Sequence, residues 1–134
     1  MRVVLDTNIF ISAILGGTLA DLIQYWLMDK FVIVVSDEIV REYYEVLRRP
    51  KFGLKQELVE AVIGYVFRKG EFVTPLNRFE IIVDDPKDNM FLESAIEGDV
   101  DWIVSGDKHL LEIKEFRGVR IISGREFLDM FEAG

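Results

Sequence analysis

Four carboxylates in this 134-residue chain stand where a carboxylate could do chemistry: Asp6, Glu42, Asp88 and Asp107. Asp6 follows directly on the apolar run Arg2-Val3-Val4-Leu5, and Asp107 comes just past Trp102-Ile103-Val104 and a Ser105-Gly106 turn. Asp88 precedes Phe91 and Leu92 by three and four residues, which aims it along the core-facing stripe of a helix. Glu42 lies three residues after Ile39 and two before Tyr44, at the edge of a helix's apolar face. Converging carboxylates repel one another and raise one another's pKa. Such a cluster is tolerable around a hard divalent cation. Mg²⁺ and Mn²⁺ take oxygen ligands, keep several waters, and can bridge a phosphate while lowering the pKa of an attacking water. The chemistry so indicated is phosphodiester hydrolysis, with Asn8 and Ser105 placed to orient ligands or water. Each acid also has a plain structural reading. Asp6 (or Thr7) and Asp107 suit helix caps, Asp88 complements a helix dipole, and Glu42 suits a solvated flank beside Arg41 or Arg49. Spacing alone leaves a candidate metal site.

The elements that must position these acids alternate along the chain. Arg2–Leu5, Phe31–Val35, Trp102–Val104 and Val119–Ile122 read as buried strands, with Phe72–Thr74 and Ile81–Val83 as shorter candidates. Helices are expected over Ile9–Ile14 and Leu19–Met28, split by Gly16-Gly17, and from Ser36 as N-cap up to the bar at Pro50. A further helix spans Lys55–Lys69, with Leu58, Val59, Val62, Ile63, Val66 and Phe67 as its stripe and Gly70 as a C′ stop. Asp85-Pro86 opens another that Gly98 ends, and Ser123-Gly-Arg-Glu126 is a capping-box pattern opening the last. Strands separated by helices predict a three-layer α/β/α sandwich around a mostly parallel sheet, one domain over 1–134. In such sheets ligands bind outside the carboxyl ends of the strands, which is where Asp6 and Asp107 stand.

Composition narrows the function classes. Zero cysteines remove disulfide frameworks, Cys-based zinc sites, thiol nucleophiles and Fe–S clusters, and fit a reducing cytoplasm. No apolar run approaches the ~18 residues of a membrane span, and neither a signal peptide nor a membrane association is expected. A net charge of −8 disfavours a broad basic nucleic-acid face. It leaves room for an enzyme in which a metal supplies the local positive charge. Arg48-Arg49-Pro50-Lys51, with Lys55, is the one local basic run, able to contact an RNA backbone or simply to form a solvated turn. No Gly-x-Gly-x-x-Gly follows Leu5, which argues against a dinucleotide fold. His109 is the only histidine and no nucleophile elbow accompanies it, which argues against a Ser–His–Asp hydrolase. A haloacid-dehalogenase-type phosphotransferase needs a carboxylate where Asn8 stands, and a receiver domain needs paired acids before the first strand.

At these residues the sequence resembles the PIN-domain family of small metal-dependent ribonucleases, in particular its toxin components of prokaryotic toxin–antitoxin modules. The resemblance runs over nearly the whole chain. It rests on Val3-Val4-Leu5-Asp6-Thr7-Asn8, Ser36-Asp-Glu-Ile-Val-Arg-Glu42, Val46-Leu47-Arg48-Arg49-Pro50-Lys51-Phe52, Asp85-Pro86-Lys87-Asp88-Asn89 and Ile103-Val104-Ser105-Gly106-Asp107, with Ile121-Ile122 and Phe127-Leu128 closing the series. It implies a Rossmann-like sandwich in which Asp6, Glu42, Asp88 and Asp107 are at once the catalytic acids and the metal ligands. Thr7, Asn8, Asn89 and Ser105 support them; apart from the resemblance, the basic run makes Arg48, Arg49 and Lys51 weaker candidates for substrate contact. It further implies Mg²⁺ or Mn²⁺, single-stranded RNA as substrate, an antitoxin protein as partner and a homodimer. The competing expectation is a degenerate domain that binds RNA or protein without cutting; it predicts loss of one or more of the acids, and all four are present.

Overall fold

The computed structural model describes residues 1–132. The chain runs β1 (Arg2–Leu5), α1 (Thr7–Leu15), α2 (Asp21–Leu27), β2 (Val32–Val35), α3 (Asp37–Leu47), α4 (Gln56–Lys69) and β3 (Glu71–Phe72). It continues with α5 (Asn89–Glu97), β4 (Trp102–Val104), α6 (Lys108–Ile113), β5 (Glu115–Phe116), β6 (Val119–Ile122) and α7 (Gly124–Glu132). Short 3₁₀ turns precede α4 at Pro50–Phe52 and α5 at Pro86–Asp88. The six strands are ordered β3-β2-β1-β4-β6-β5, all parallel except the terminal β5–β6 pair.

This order places the functional part of the molecule. From β1 the chain works outward to β2 and β3, then returns to β4 on the other flank and continues to β6. The winding therefore reverses between β1 and β4, and an open α/β sheet leaves its ligand crevice at that reversal. The two strands are in register, Leu5 opposite Val104, and the Asp6 N–H extends the ladder to the Val104 carbonyl at 2.9 Å. Val3, Val4 and Leu5 are all buried, as expected of a strand covered on both faces. α1 packs against α2 and α3, and α3 against α4; α5 lies against β1, β2 and β4, and α7 meets α2. Among the described residues, no helix is long and apolar enough to cross a membrane.

Three expectations fail locally, each for a physical reason. Ile81–Val83 is not a strand. The segment between β3 and α5 lies along α5, whose residues 89, 93 and 97 present side-chain acceptors at four-residue spacing. Glu97 Oε1 accepts from the Leu76 N–H (3.0 Å) and Glu93 Oε2 from Phe79 N–H (2.9 Å). Asn89 Oδ1 accepts from both Ile81 (3.1 Å) and Ile82 (3.0 Å). A helix face thus supplies the bonds a neighbouring strand would otherwise give. Second, the apolar stripe of α4 is wider than the face it buries. Val59, Ile63 and Val66 are in the core, whereas Leu58 is 46% and Phe67 59% exposed, the latter stacked on Phe72. Third, Gly70 ends α4 with φ −73°, not in the left-handed region. Glycine is needed there for close approach, since a Cβ would sit 2.6 Å from the Val66 carbonyl oxygen. The β5–β6 hairpin, turning through Arg117 and Gly118 at φ 49° and 88°, goes beyond what periodicity indicated.

Candidate active site

Asp6 leaves β1 as the N-cap of α1. Its Oδ1 accepts from the Asn8 N–H (3.0 Å) and its Oδ2 from the Ser105 hydroxyl (2.5 Å), and its side chain is buried. Ser105, at the end of β4 and fully buried, also accepts from the Asp107 N–H at 2.9 Å. One hydroxyl therefore ties the ends of the two central strands together. Asp107 in turn caps α6, Oδ1 accepting from His109 N–H (2.7 Å) and, more loosely, Leu110 N–H (3.4 Å). The cap readings of both acids hold, and both face the crevice as well.

Glu42 reaches the same place from α3. The helix starts cleanly because Ser36 Oγ accepts from the Ile39 N–H. It is docked on β1 by Tyr43, whose ring stacks on Phe10 at 4.2 Å and whose hydroxyl donates to the Leu5 carbonyl (2.5 Å). Tyr43 is therefore core, and its neighbour Glu42 is delivered beside Thr7, whose hydroxyl donates to Glu42 Oε2. Lys87 Nζ lies 3.4 Å from the other Glu42 oxygen. Asp88 arrives on the 3₁₀ turn ahead of α5 with no hydrogen-bond donor to its carboxylate among the described residues.

Asp6, Thr7, Asn8, Glu42, Asp88 and Asp107 line one cleft of about 190 Å³, together with Val46, Arg49 and Asp85. The cleft's charges act on one another. Burial raises the Asp6 pKa, opposed by the Ser105 and Asn8 hydrogen bonds and reinforced by Asp107 and Glu42. Burial first, then the charges of Asp85, Asp6, Asp107 and Glu42, push Asp88 up to about 7.

Two further residues bear on the cleft: Asp85, the nearby acid that spacing did not separate from Asp88, on its wall, and Lys87, which the sequence did not single out, as partner of Glu42. Asn89 does not line it. Its amide is used up by the Ile81, Ile82 and Pro86 backbone, which fixes the segment leading to Asp85 and Asp88. The basic run divides: Arg49 lines the cleft, while Arg48 lies over the Tyr44 ring at 5.0 Å and Lys51 over Phe52 at 5.1 Å. A larger cavity of about 470 Å³ adjoins at Pro86 and Lys87. Its buried carboxylate, Glu93, is already bound by Arg78 at 2.9 Å.

Among the described residues, no three acidic or histidine side chains close into a ready-made metal cage. Mg²⁺ does not require one. It binds through one or two carboxylates, keeps waters, and takes substrate phosphate oxygens as ligands. An open cleft of hard oxygen donors, with Asp6 and Asp107 anchored by hydrogen bonds, fits such an ion.

The comparisons with known proteins agree with this architecture. The chain is 26% identical over 149 aligned positions to the uncharacterized protein MJ1680 of Methanocaldococcus jannaschii, covering 98% of this chain and 92% of that one. The fold is similar to PAE2754 from Pyrobaculum aerophilum, with a TM-score of 0.66, 12% identity, and 100% and 91% of the two chains covered. It is also similar to VapBC-1 from nontypeable Haemophilus influenzae, with a TM-score of 0.56, 16% identity, and 93% and 99% covered. Residues 2–109, a span that takes in all four acids, match the sequence model of the PIN domain, and the chain belongs to that family.

Proposed function

We propose that this protein is a Mg²⁺- or Mn²⁺-dependent endoribonuclease that hydrolyses phosphodiester bonds of single-stranded RNA, acting as the toxin component of a toxin–antitoxin pair. PIN domains are generally nucleases and usually use divalent metal ions. The observation that carries the reading is the convergence of Asp6, Glu42, Asp88 and Asp107 on one polar cleft at the winding reversal of the sheet. Asp6, Asp88 and Asp107, with Glu42 directly or through water, are the residues that would hold the ion. A bound divalent ion supplies Lewis acidity toward the phosphoryl oxygens and lowers the pKa of the attacking water. The chain's own contribution is preorganisation. Ser105 and the Asn8 N–H hold Asp6, the starts of α1 and α6 hold Asp6 and Asp107, and Thr7 holds Glu42. Water attacks phosphorus in line, a cleft carboxylate takes its proton, and the P–O bond to the leaving ribose oxygen breaks as that oxygen is protonated. The antitoxin partner and the homodimer rest on the resemblance to toxin components and on the fold shared with VapBC-1. A cytoplasmic site of action is proposed on the cysteine-free composition.

Calorimetric titration of Mn²⁺ into metal-free wild type and Asp88→Asn, with circular dichroism to establish that both are folded, tests the reading without a guess at the RNA. Saturable binding at one or two sites, lost or much weakened in the variant, is expected. Asp6→Asn and Asp88→Asn should then abolish RNA cleavage. A folded wild type that binds no Mn²⁺ would favour a domain that binds partners without cutting.

A further inference from the structure

Arg49 is the one cation among the residues lining the acidic cleft. Facing Asp6, Glu42, Asp85, Asp88 and Asp107, a guanidinium would be expected to pair with at least one carboxylate. Among the described residues it pairs with none within 4.0 Å and donates no side-chain hydrogen bond. Its backbone, in contrast, is fixed. The Arg49 N–H donates to the Val46 carbonyl (3.1 Å), and its own carbonyl accepts from Phe52 N–H (3.0 Å) as the residue enters the Pro50 turn. The neighbouring cations are engaged elsewhere, Arg48 on Tyr44 and Lys51 on Phe52, and Lys87 is paired with Glu42. The anchored end of α3 thus holds one free guanidinium at the rim of a site crowded with negative charge.

A phosphodiester entering that cleft brings a further negative charge, and its trigonal-bipyramidal transition state carries more. One divalent ion does not neutralise five carboxylates and a phosphate. Arginine offers a planar fork that binds two non-bridging phosphate oxygens at once and remains charged at any working pH. We propose that Arg49 is the residue that receives the scissile phosphate, binding its non-bridging oxygens and stabilising the charge that develops on them. The inference rests on the nuclease reading and adds to it a substrate-contacting residue outside the carboxylate set.

The test compares Arg49→Gln and Arg49→Lys with wild type and with Arg125→Gln, which removes an equal charge from the surface of α7. Three quantities are read: Mn²⁺ affinity by calorimetry, cleavage of a labelled single-stranded RNA of mixed sequence with Mn²⁺, and the salt dependence of binding that RNA with Ca²⁺ in place of Mn²⁺. Arg49→Gln is expected to keep wild-type Mn²⁺ affinity while losing about 10²-fold or more in kcat/KM. Its slope of log affinity against log salt should fall by about 1. Arg49→Lys should recover part of the rate because it restores charge without the fork, and Arg125→Gln should leave both rate and slope as in wild type. Wild-type cleavage with Arg49→Gln undiminished would overturn the role of Arg49 and leave the nuclease standing. Equal losses in Mn²⁺ affinity and rate would overturn it too, by showing Arg49 to act on the carboxylates. A wild type that binds Mn²⁺ but neither binds nor cuts RNA would overturn both readings.

Discussion

Replacing Asp88 by asparagine should stabilise the metal-free protein at neutral and higher pH, the opposite of what removing a buried polar group usually does. The Asp88 carboxylate accepts no hydrogen bond among the described residues, so an isosteric amide forfeits none. What it removes is a charge placed among four others. The Asp88 pKa of about 7, against 3.8 for an ordinary aspartate, means that the folded chain binds this proton more tightly than the unfolded one. The associated stability is therefore fully present below about pH 4 and is lost as pH rises through about 7. A change of that size corresponds to about 4 kcal/mol at roughly 1.4 kcal/mol per pK step. Because Asp88 is only half-buried, screening by solvent and salt leaves about 1–2 kcal/mol. Urea unfolding in the presence of a chelator, at pH 5, 6, 7 and 8, should show wild type losing stability across the series and Asp88→Asn losing much less, so that the variant is the more stable at pH 8. Adding Mn²⁺ should reverse the order by stabilising only the wild type, to the extent that free metal exceeds its dissociation constant. Parallel pH profiles for the two proteins in chelator would refute the reasoning, because they would mean that neither burial nor the field of Asp85, Asp6, Asp107 and Glu42 holds the Asp88 proton.

Ser105→Ala removes the link between Asp6 and the Asp107 N–H from a fully buried position. It should cost about 1–3 kcal/mol in urea unfolding and weaken Mn²⁺ binding by about 10–100-fold in calorimetry. Asn89→Leu strips the Ile81, Ile82 and Pro86 backbone of its side-chain partners. With Ile82 buried and Ile81 able to turn to water, the cost should be about 2–4 kcal/mol, and limited proteolysis should find cleavage between residues 73 and 85 that wild type resists. Phe67→Ser, on the exposed side of α4, should change stability by less than about 1 kcal/mol, whereas Val66→Ser on the buried side should unfold far more readily under the same urea series.

The contrast between Val66 and Phe67 also shows where sequence reading stops. Apolar residues at helical spacing establish that α4 is a helix with one wet side, but not how wide a strip its neighbours can cover. Ile81-Ile82-Val83 has the composition of a strand, and periodicity reports composition without naming the partner; here the partner is the side chains of Asn89, Glu93 and Glu97. Lys87 escaped notice for the same reason, and spacing did not separate Asp85 from Asp88, since their positions follow from how that segment is pinned to α5. Arg48, Arg49 and Lys51 are equivalent as sequence, and only the turn at Pro50 separates the one that faces the cleft from the two that lie on aromatic rings. Strand ends, in contrast, are legible, because a strand's last buried residue fixes where the chain emerges. That is why the sequence alone places Asp6 and Asp107 relative to the sheet.

The same two acids show why cap and ligand were never competing descriptions. A helix N-cap must accept hydrogen bonds from the first turn's free N–H groups, which holds its side chain in one rotamer. In Asp107 that duty falls on Oδ1 alone, leaving Oδ2 directed by a bond it does not itself make. In Asp6 the helix takes Oδ1 and Ser105 takes Oδ2, so the carboxylate is fixed at both ends and keeps only its remaining lone pairs for a cation. The entropy of ordering these ligands is thus spent when α1 and α6 form, not when an ion arrives. Glu42 and Asp88, which cap nothing, are held by a hydroxyl and an exposed lysine in one case and by neither in the other. The site therefore divides into two rigid acids at the strand ends and two adjustable ones on the helices opposite. On this division Asp6→Asn, which sets an amide NH₂ against the Ser105 hydroxyl or the Asn8 N–H, should cost stability as well as metal affinity, whereas Asp107→Asn, whose Oδ1 can still cap α6, and Asp88→Asn should cost affinity alone.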